Sequence, residues 1–228
     1  MVNIIYKFQN YLKNLLFSGE ITIEELENLS VRLRDELKQP KKKNTSSFSE
    51  VEVGWYAFAG GKFSPDSDAY PNCQGVVGWV NPDKNAPEGQ RGLIITPDEV
   101  EMMWSDKYYE TKIKDEYDGK GNTEKLIAYG KKCKINFPAA EWCVAYCKNG
   151  VRPGEGFMPA KEQLKRIVAN RMIVNPALQK IDGSELSGWI WSSSEYAYDR
   201  AWVVGARGGN VYDGSKYAGL YVRCVLAF

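Results

Sequence analysis

An α+β fold is what the order of patterns along these 228 residues predicts. Two observations carry it. Short β-type runs bounded by glycine lie between residues 51 and 95, a second β-rich block runs from 187 to 228, and the helical patterns of the main body fall between them. Strands, then helices, then strands, without regular alternation, argue for α+β rather than alternating α/β. Composition is the third observation: 43% hydrophobic and 13% aromatic residues suit a soluble chain that buries one core, or a core with a small appendage.

Residues 1–38 read as two amphipathic helices separated by Ser18-Gly19. The first places Ile4, Ile5, Phe8, Leu12, Leu15 and Leu16 at helical spacing. The second begins near Thr22, carries Glu24, Glu25 and Glu27 near its positive end, and repeats Leu26, Leu29, Leu33 and Leu37. Two short helices do not fold alone, so this appendage either joins copies into a homo-oligomer or packs on its own main domain. Residues 39–50 form a linker of Pro, Lys, Asn and Ser. Its Lys41-Lys42-Lys43 run is a solvated segment, and a net charge of +1 gives no basic field for nucleic acid.

The main domain is expected over 51–228. Val51–Phe58 reads as a strand, Ala59-Gly60-Gly61-Lys62 as a turn, Gly75–Val80 as a strand and Gly92–Ile95 as a buried one. Asn122-Thr123-Glu124 starts a helix through Leu126, Ile127 and Tyr129. Pro138 suits the first turn of the next, and Pro159 repeats the device ahead of Leu164, Ile167 and Val168. Asn175-Pro176 opens a further short helix. Ser187–Trp191 then begins the closing β block, with Gly209-Asn210 and Gly214-Ser215 as turn signals. Trp189, Trp191, Trp202, Val211, Val222 and Val225 are expected to hold its strands in a core. Arg223, alternating with Val222 and Cys224, should face the other way and meet Glu195 or another carboxylate.

Much chemistry is excluded. The chain has no histidine, which removes Ser-His-Asp and Cys-His catalysis and His-ligated zinc. Its five cysteines include no CxxC pair, so buried, reduced thiols are expected. A disulfide from Cys143 or Cys147 to Cys224 is the alternative if the protein is exported. Asp115, Glu116 and Asp118 lack the spacing of a calcium loop, and Gly154-Glu155-Gly156 lacks the rest of a phosphate loop. No catalytic residue, metal or cofactor is expected. No stretch is long enough to span a bilayer and no signal-peptide pattern is present, which points to the cytoplasm, or to a phage particle or displayed product assembled there.

The closing segment, WSSSEYAYDRAWVVGARGGNVYDGSKYAGLYVRCVLAF, intersperses Tyr, Asp, Gly, Ala and Arg among its apolar strand residues without period. Tyr supplies large contact area at low entropic cost and Gly supplies adaptability, as in an antibody paratope. A segment of this kind binds a partner.

The order VGWYAFAGGKFS, GVVGWVN, RGLIIT, FPAAEWC, GEGFMPAKEQL and GWIWSSSEY through YVRCVLAF resembles C-type lectin-like domains of the formylglycine-generating-enzyme type. More narrowly it is similar to the variable proteins of diversity-generating retroelements of gut bacteria and their phages, from about residue 51 onward. The resemblance implies a C-type lectin-like fold whose variable region, about 191–228, recognises a protein or glycan partner. It also implies that adenine-directed mutation of AAC codons diversifies Tyr196, Tyr198, Asp199, Arg200, Val203, Gly205, Arg207, Tyr212, Asp213, Gly214, Tyr217, Ala218, Gly219 and Leu220. Each is a residue such codons reach. The unreachable types Glu195, Trp202 and Lys216 fall at frame positions.

Two departures limit what transfers. The sugar-binding calcium motif of animal lectins is absent. The paired C-terminal cysteines of the enzyme are absent too, so oxidase activity does not come with the fold. The other functional readings are such an oxidase and a non-diversified structural protein of a phage tail or surface layer.

Overall fold

The computed structural model describes Thr22 and residues 50–228; apart from Thr22 and Glu50, the helical appendage and the linker lie outside the described residues. Eight strands and four helices make up the rest. The strands are β1 (Tyr56–Phe58), β2 (Lys62–Ser64), β3 (Cys73–Val80), β4 (Gly92–Met102), β5 (Trp189–Ala197), β6 (Arg200–Gly205), β7 (Val211–Ser215) and β8 (Leu220–Ala227). The helices are α1 (Gly119–Cys133), α2 (Pro138–Ala145), α3 (Lys161–Ala169) and α4 (Arg171–Gln179).

All strands join one sheet in the order β2-β1-β3-β4-β8-β5-β6-β7. Every neighbouring pair is antiparallel except β5 and β8. The early and late β blocks are joined by β4 against β8, from Leu93↔Ala227 to Met102↔Leu220. The helices are segregated in sequence but flank both faces of the sheet. Val222, Cys224 and Leu226 pack with Leu126 of α1 and Cys143 of α2, whereas Val225 packs with Leu164 of α3 and Val174 of α4. Period-two alternation along β8 is what sends its residues to these two cores.

Several elements differ from the sequence expectation, each for a local reason. β1 is confined to Tyr56–Phe58, because Gly54 at φ +92° turns the chain before it. β4 continues through Pro97 to Met102, with the ladder shifting between Ile95 and Glu99. α1 starts at Gly119, where Asp118 caps it by accepting from the Gly121 N–H at 2.8 Å. Pro138 occupies the first turn of α2 as expected, while Pro159 precedes the Ala160 cap of α3.

Pro176 lies inside α4 instead of opening it. The hydrogen bond it cannot donate belongs to the carbonyl of Met172, a residue 76% exposed, so water can serve that oxygen. Gly214-Ser215 ends β7 and is not a turn; the chain turns after it, with the Ala218 N–H on the Ser215 carbonyl at 2.8 Å. Of the three tryptophans expected in the core only Trp191 is fully buried. Trp202 and Val211 are half-buried, and Trp189 is 39% exposed.

Candidate binding surface

The predicted contact segment is held by a buried ion pair. Lys216, at the start of the β7–β8 turn, places Nζ 2.6 Å from Glu195 Oε1 on β5, with both side chains at 0% exposure. The same ammonium donates to the carbonyls of Tyr109 (2.7 Å) and Tyr198 (2.9 Å) and lies 4.8 Å from the centre of the Trp104 ring. Glu195 accepts in turn from the backbone N–H groups of Thr111 (2.9 Å) and Lys112 (2.8 Å).

One pair therefore ties together three segments: the β5–β6 turn, the β7–β8 turn and the loop between β4 and α1. Burial pulls the Lys216 pKa down, opposed by its hydrogen bond and attraction to Glu195. With all its donors engaged, the pair avoids the penalty of an uncompensated buried charge.

Around this anchor the aromatic side chains turn outward. Tyr108 stacks on Tyr217 at 3.9 Å, meets Tyr198 edge-on at 6.2 Å and shares a 2.9 Å hydrogen bond with Ser215 Oγ. Tyr196 leans on Trp202 at 4.5 Å, and Lys161 Nζ sits 4.8 Å over the Trp202 ring. Arg200 donates to Asp213 Oδ2 at 2.7 Å across β6 and β7. Rings held by neighbours in this way offer contact area with little rotamer freedom left to lose on binding.

The positions implied by the resemblance do not all join this surface. Tyr196, Tyr198, Arg200, Tyr217 and Gly219 are exposed at one end of the strands, with Asp199, Asp213, Ala218 and Leu220 half-buried beside them. Arg207 is exposed but lies in the β6–β7 turn. That is the opposite end of the six-residue β6, about 20 Å away along the strand. Tyr212 sits between the two ends and packs edge-on to Trp189 at 5.0 Å.

Val203 and Gly205 are corrections to the contact set. Val203 is 3% exposed within the core, and Gly205 is buried under the Trp189 ring. Gly214 is constrained as well, because a Cβ there would stand 2.7 Å from Trp191 Cη2. The residues absent from the expectation are Tyr108 and Tyr109, exposed at 40% and 51%. They lie outside the closing segment, and a Tyr-Tyr pair between charged neighbours was the signal for them.

Of the two outcomes expected for Arg223, Glu195 or another carboxylate, it takes the second, pairing with Glu99. Its fully buried guanidinium fills the irregularity in β4, donating to the carbonyls of Thr96 (3.2 Å) and Pro97 (3.1 Å) and pairing with Glu99 at 3.4 Å. Burial raises the Glu99 pKa, against the opposing pull of Arg223 and Ser187. This network braces β4 and β8 within the sheet.

Cys143 and Cys224 are both buried, and Cys224 Sγ lies 3.5 Å from the Cys143 carbonyl; Cys147 is exposed, beyond the end of α2. All five cysteines are free thiols, and burial pushes the Cys143 thiol well up. Two clefts, of about 400 and 310 Å³, share Lys120 and Phe157 and include none of the predicted contact positions in their walls. Among the described residues no cluster of three or more Cys, Asp or Glu is arranged to hold a metal ion, and no helix is long and apolar enough to cross a membrane.

No family model and no curated protein matches the chain. Its fold is similar to that of a fimbrial protein from Bacteroides ovatus, known from a crystal structure at 1.85 Å resolution. The TM-score is 0.62 with 17% identity, over 78% of this chain and 49% of that one. The chain thus spans about half the length of that protein, and what the two share is a fold.

Proposed function

We propose that this protein is a recognition module. Its exposed tyrosine-rich surface binds a protein or glycan partner, in the manner of a C-type lectin-like variable protein of a diversity-generating retroelement. One observation carries the reading: residue types that adenine-directed mutation of AAC codons cannot produce are those that hold the frame. Glu195 and Lys216 form the fully buried ion pair, and Trp202 is wedged between Lys161 and Tyr196. The reachable types Tyr196, Tyr198, Arg200 and Tyr217 stand exposed around them.

Surface display for adhesion agrees with a fold shared with a fimbrial protein. Catalysis by thiols is less well supported, since Cys143 and Cys224 lie fully buried and burial holds Cys143 protonated. Sequencing the locus tests the proposal. It requires a near-copy of the coding segment for residues 191–228, with extra adenines at the exposed positions, beside a reverse-transcriptase gene. A locus with neither would remove diversification and leave a fixed binding surface.

A further inference from the structure

β7 is the last strand of the described sheet, and its outer side carries backbone groups that no described residue fills. The phase of the β6–β7 ladder follows from its two ends. Gly205 N–H donates to the Asn210 carbonyl and Lys216 N–H to the Asp199 carbonyl, both at 2.9 Å. Antiparallel pairs alternate between hydrogen-bonded and non-hydrogen-bonded. With Val203↔Tyr212 and Ala201↔Gly214 in register between those ends, Tyr212 and Gly214 bond inward to β6. Val211, Asp213 and Ser215 therefore point their N–H and C=O groups away from the sheet.

The Ser215 carbonyl is used by Ala218 N–H, and the Asp213 carbonyl has only Arg200 Nη1 at 3.5 Å. The N–H groups of Val211, Asp213 and Ser215 and the Val211 carbonyl have no hydrogen-bond partner among the described residues. Sheet edges are ordinarily protected by charged side chains, proline, a bulge or the shortness of the strand. β7, Val-Tyr-Asp-Gly-Ser, has no proline, lysine or bulge, its one charge, Asp213, is engaged by Arg200 of β6, and its ladder with β6 runs without a shift.

The side chains flanking this edge lie on opposite faces. Tyr212 pairs with Val203 and reaches Trp189 on one face, while Asp213 pairs with Trp202 and holds Arg200 on the other. A partner resting on either face meets half of these groups; one that lies along the edge meets them all.

We infer that β7 binds an extended backbone segment of a partner protein by strand addition. Val211 and Asp213 supply the main-chain hydrogen bonds, and the flanking side chains read alternate residues of the ligand. Outward groups two residues apart repeat every ~6.8 Å, the spacing of an extended peptide and not of a glycan. The bound segment would alternate, with an apolar residue toward Tyr212 and Trp189 and a polar or charged one toward Arg200 and Asp213. The inference rests on the recognition reading and narrows its partner to protein.

The test uses linear peptides selected from a random library on the full chain, followed by N-methylation of each peptide position in turn. Strand addition predicts losses of about tenfold or more at alternate positions, with the intervening positions neutral. It also predicts that bound peptide slows hydrogen exchange at the Val211 and Asp213 amides, and that Val211→Pro weakens binding where Val211→Ala does not. Proline at the first residue of an edge strand is compatible with the sheet.

Each of four results would overturn it: a library that yields no binder, a flat N-methyl scan, unprotected Val211 and Asp213 amides, or protection that rises with protein concentration alone. The last would make a second copy of the chain the occupant. If the scan is flat but Tyr198→Ala and Tyr212→Ala abolish binding, strand addition falls and recognition through the side chains stands. Binding indifferent to all of these changes would remove both.

Discussion

Lys216 Nζ and Glu195 Oε1 meet at 2.6 Å where neither side chain touches water, and three segments of the exposed tyrosine-rich surface converge on that contact. The pair acts as the joint of the frame. Replacing only one partner leaves a charge buried without its counter-ion, a loss of about 3–5 kcal/mol. Lys216→Met should therefore lower unfolding free energy in urea by about that amount. Lys216→Met combined with Glu195→Leu should recover a measurable part of it, since the uncompensated charge is then gone.

The exposed side chains around this joint should behave in the opposite way. Alanine, serine or aspartate at Tyr196, Tyr198, Arg200 or Tyr217 removes surface contacts only, so stability should change by about 1.5 kcal/mol or less. Aspartate at Val203 should instead prevent stable folding, because that side chain is 3% exposed within the core. Thermal melts of this panel check both halves.

Gly214 gives a finer test of the frame. A Cβ there would come within 2.7 Å of the Trp191 ring and 3.2 Å of Leu220 Cδ1, in a packed region with little room to yield. Gly214→Val should cost about 1–3 kcal/mol through overpacking. Gly219→Val, at an exposed turn position whose nearest neighbour is the flexible Glu101 carboxylate, should cost less.

Glu99 gives a pH-dependence of definite sign. Burial raises its folded pKa above the ordinary value of 4.5, so between that value and the raised one the folded state binds more protons than the unfolded chain. Stability from this group is present below pH 4.5 and falls as pH rises through the folded pKa. Glu99→Gln should flatten the fall. Urea midpoints measured across this range for the wild type and the variant read the difference in slope directly.

Much of this was legible in the chain, and the exceptions share a cause. Pro138, the helical spacing of Leu164, Ile167 and Val168, and the glycine-bounded runs of β3 and β4 announce local structure through local chemistry. The Tyr-rich closing segment announced a surface. What the sequence did not show was which residues meet across the fold. Arg223 pairs with Glu99 and not Glu195 because the β4–β8 register puts Glu99 beside it, and register is a long-range property. Val203 looked like any small residue in a variable stretch; the neighbours that bury it come from other strands. Tyr108 was hidden for the same reason, since long-range contacts draw its loop to the β7–β8 turn: the Glu195–Lys216 joint, the Trp104 and Ser105 N–H groups on the Lys216 carbonyl, and the Tyr108 hydrogen bond to Ser215.

The central claim is that a fixed frame carries an interchangeable contact set. Deep sequencing of the coding segment for residues 191–228, across a population of cells or particles carrying this gene, tests it most directly. Substitutions should concentrate at Tyr196, Tyr198, Asp199, Arg200, Tyr212, Asp213, Tyr217 and their half-buried neighbours. Val203 and Gly205 should stay small and apolar in proteins that fold, and Glu195, Trp202 and Lys216 should not change. A population with an invariant segment, or with changes spread evenly over frame and contact positions, would contradict the account.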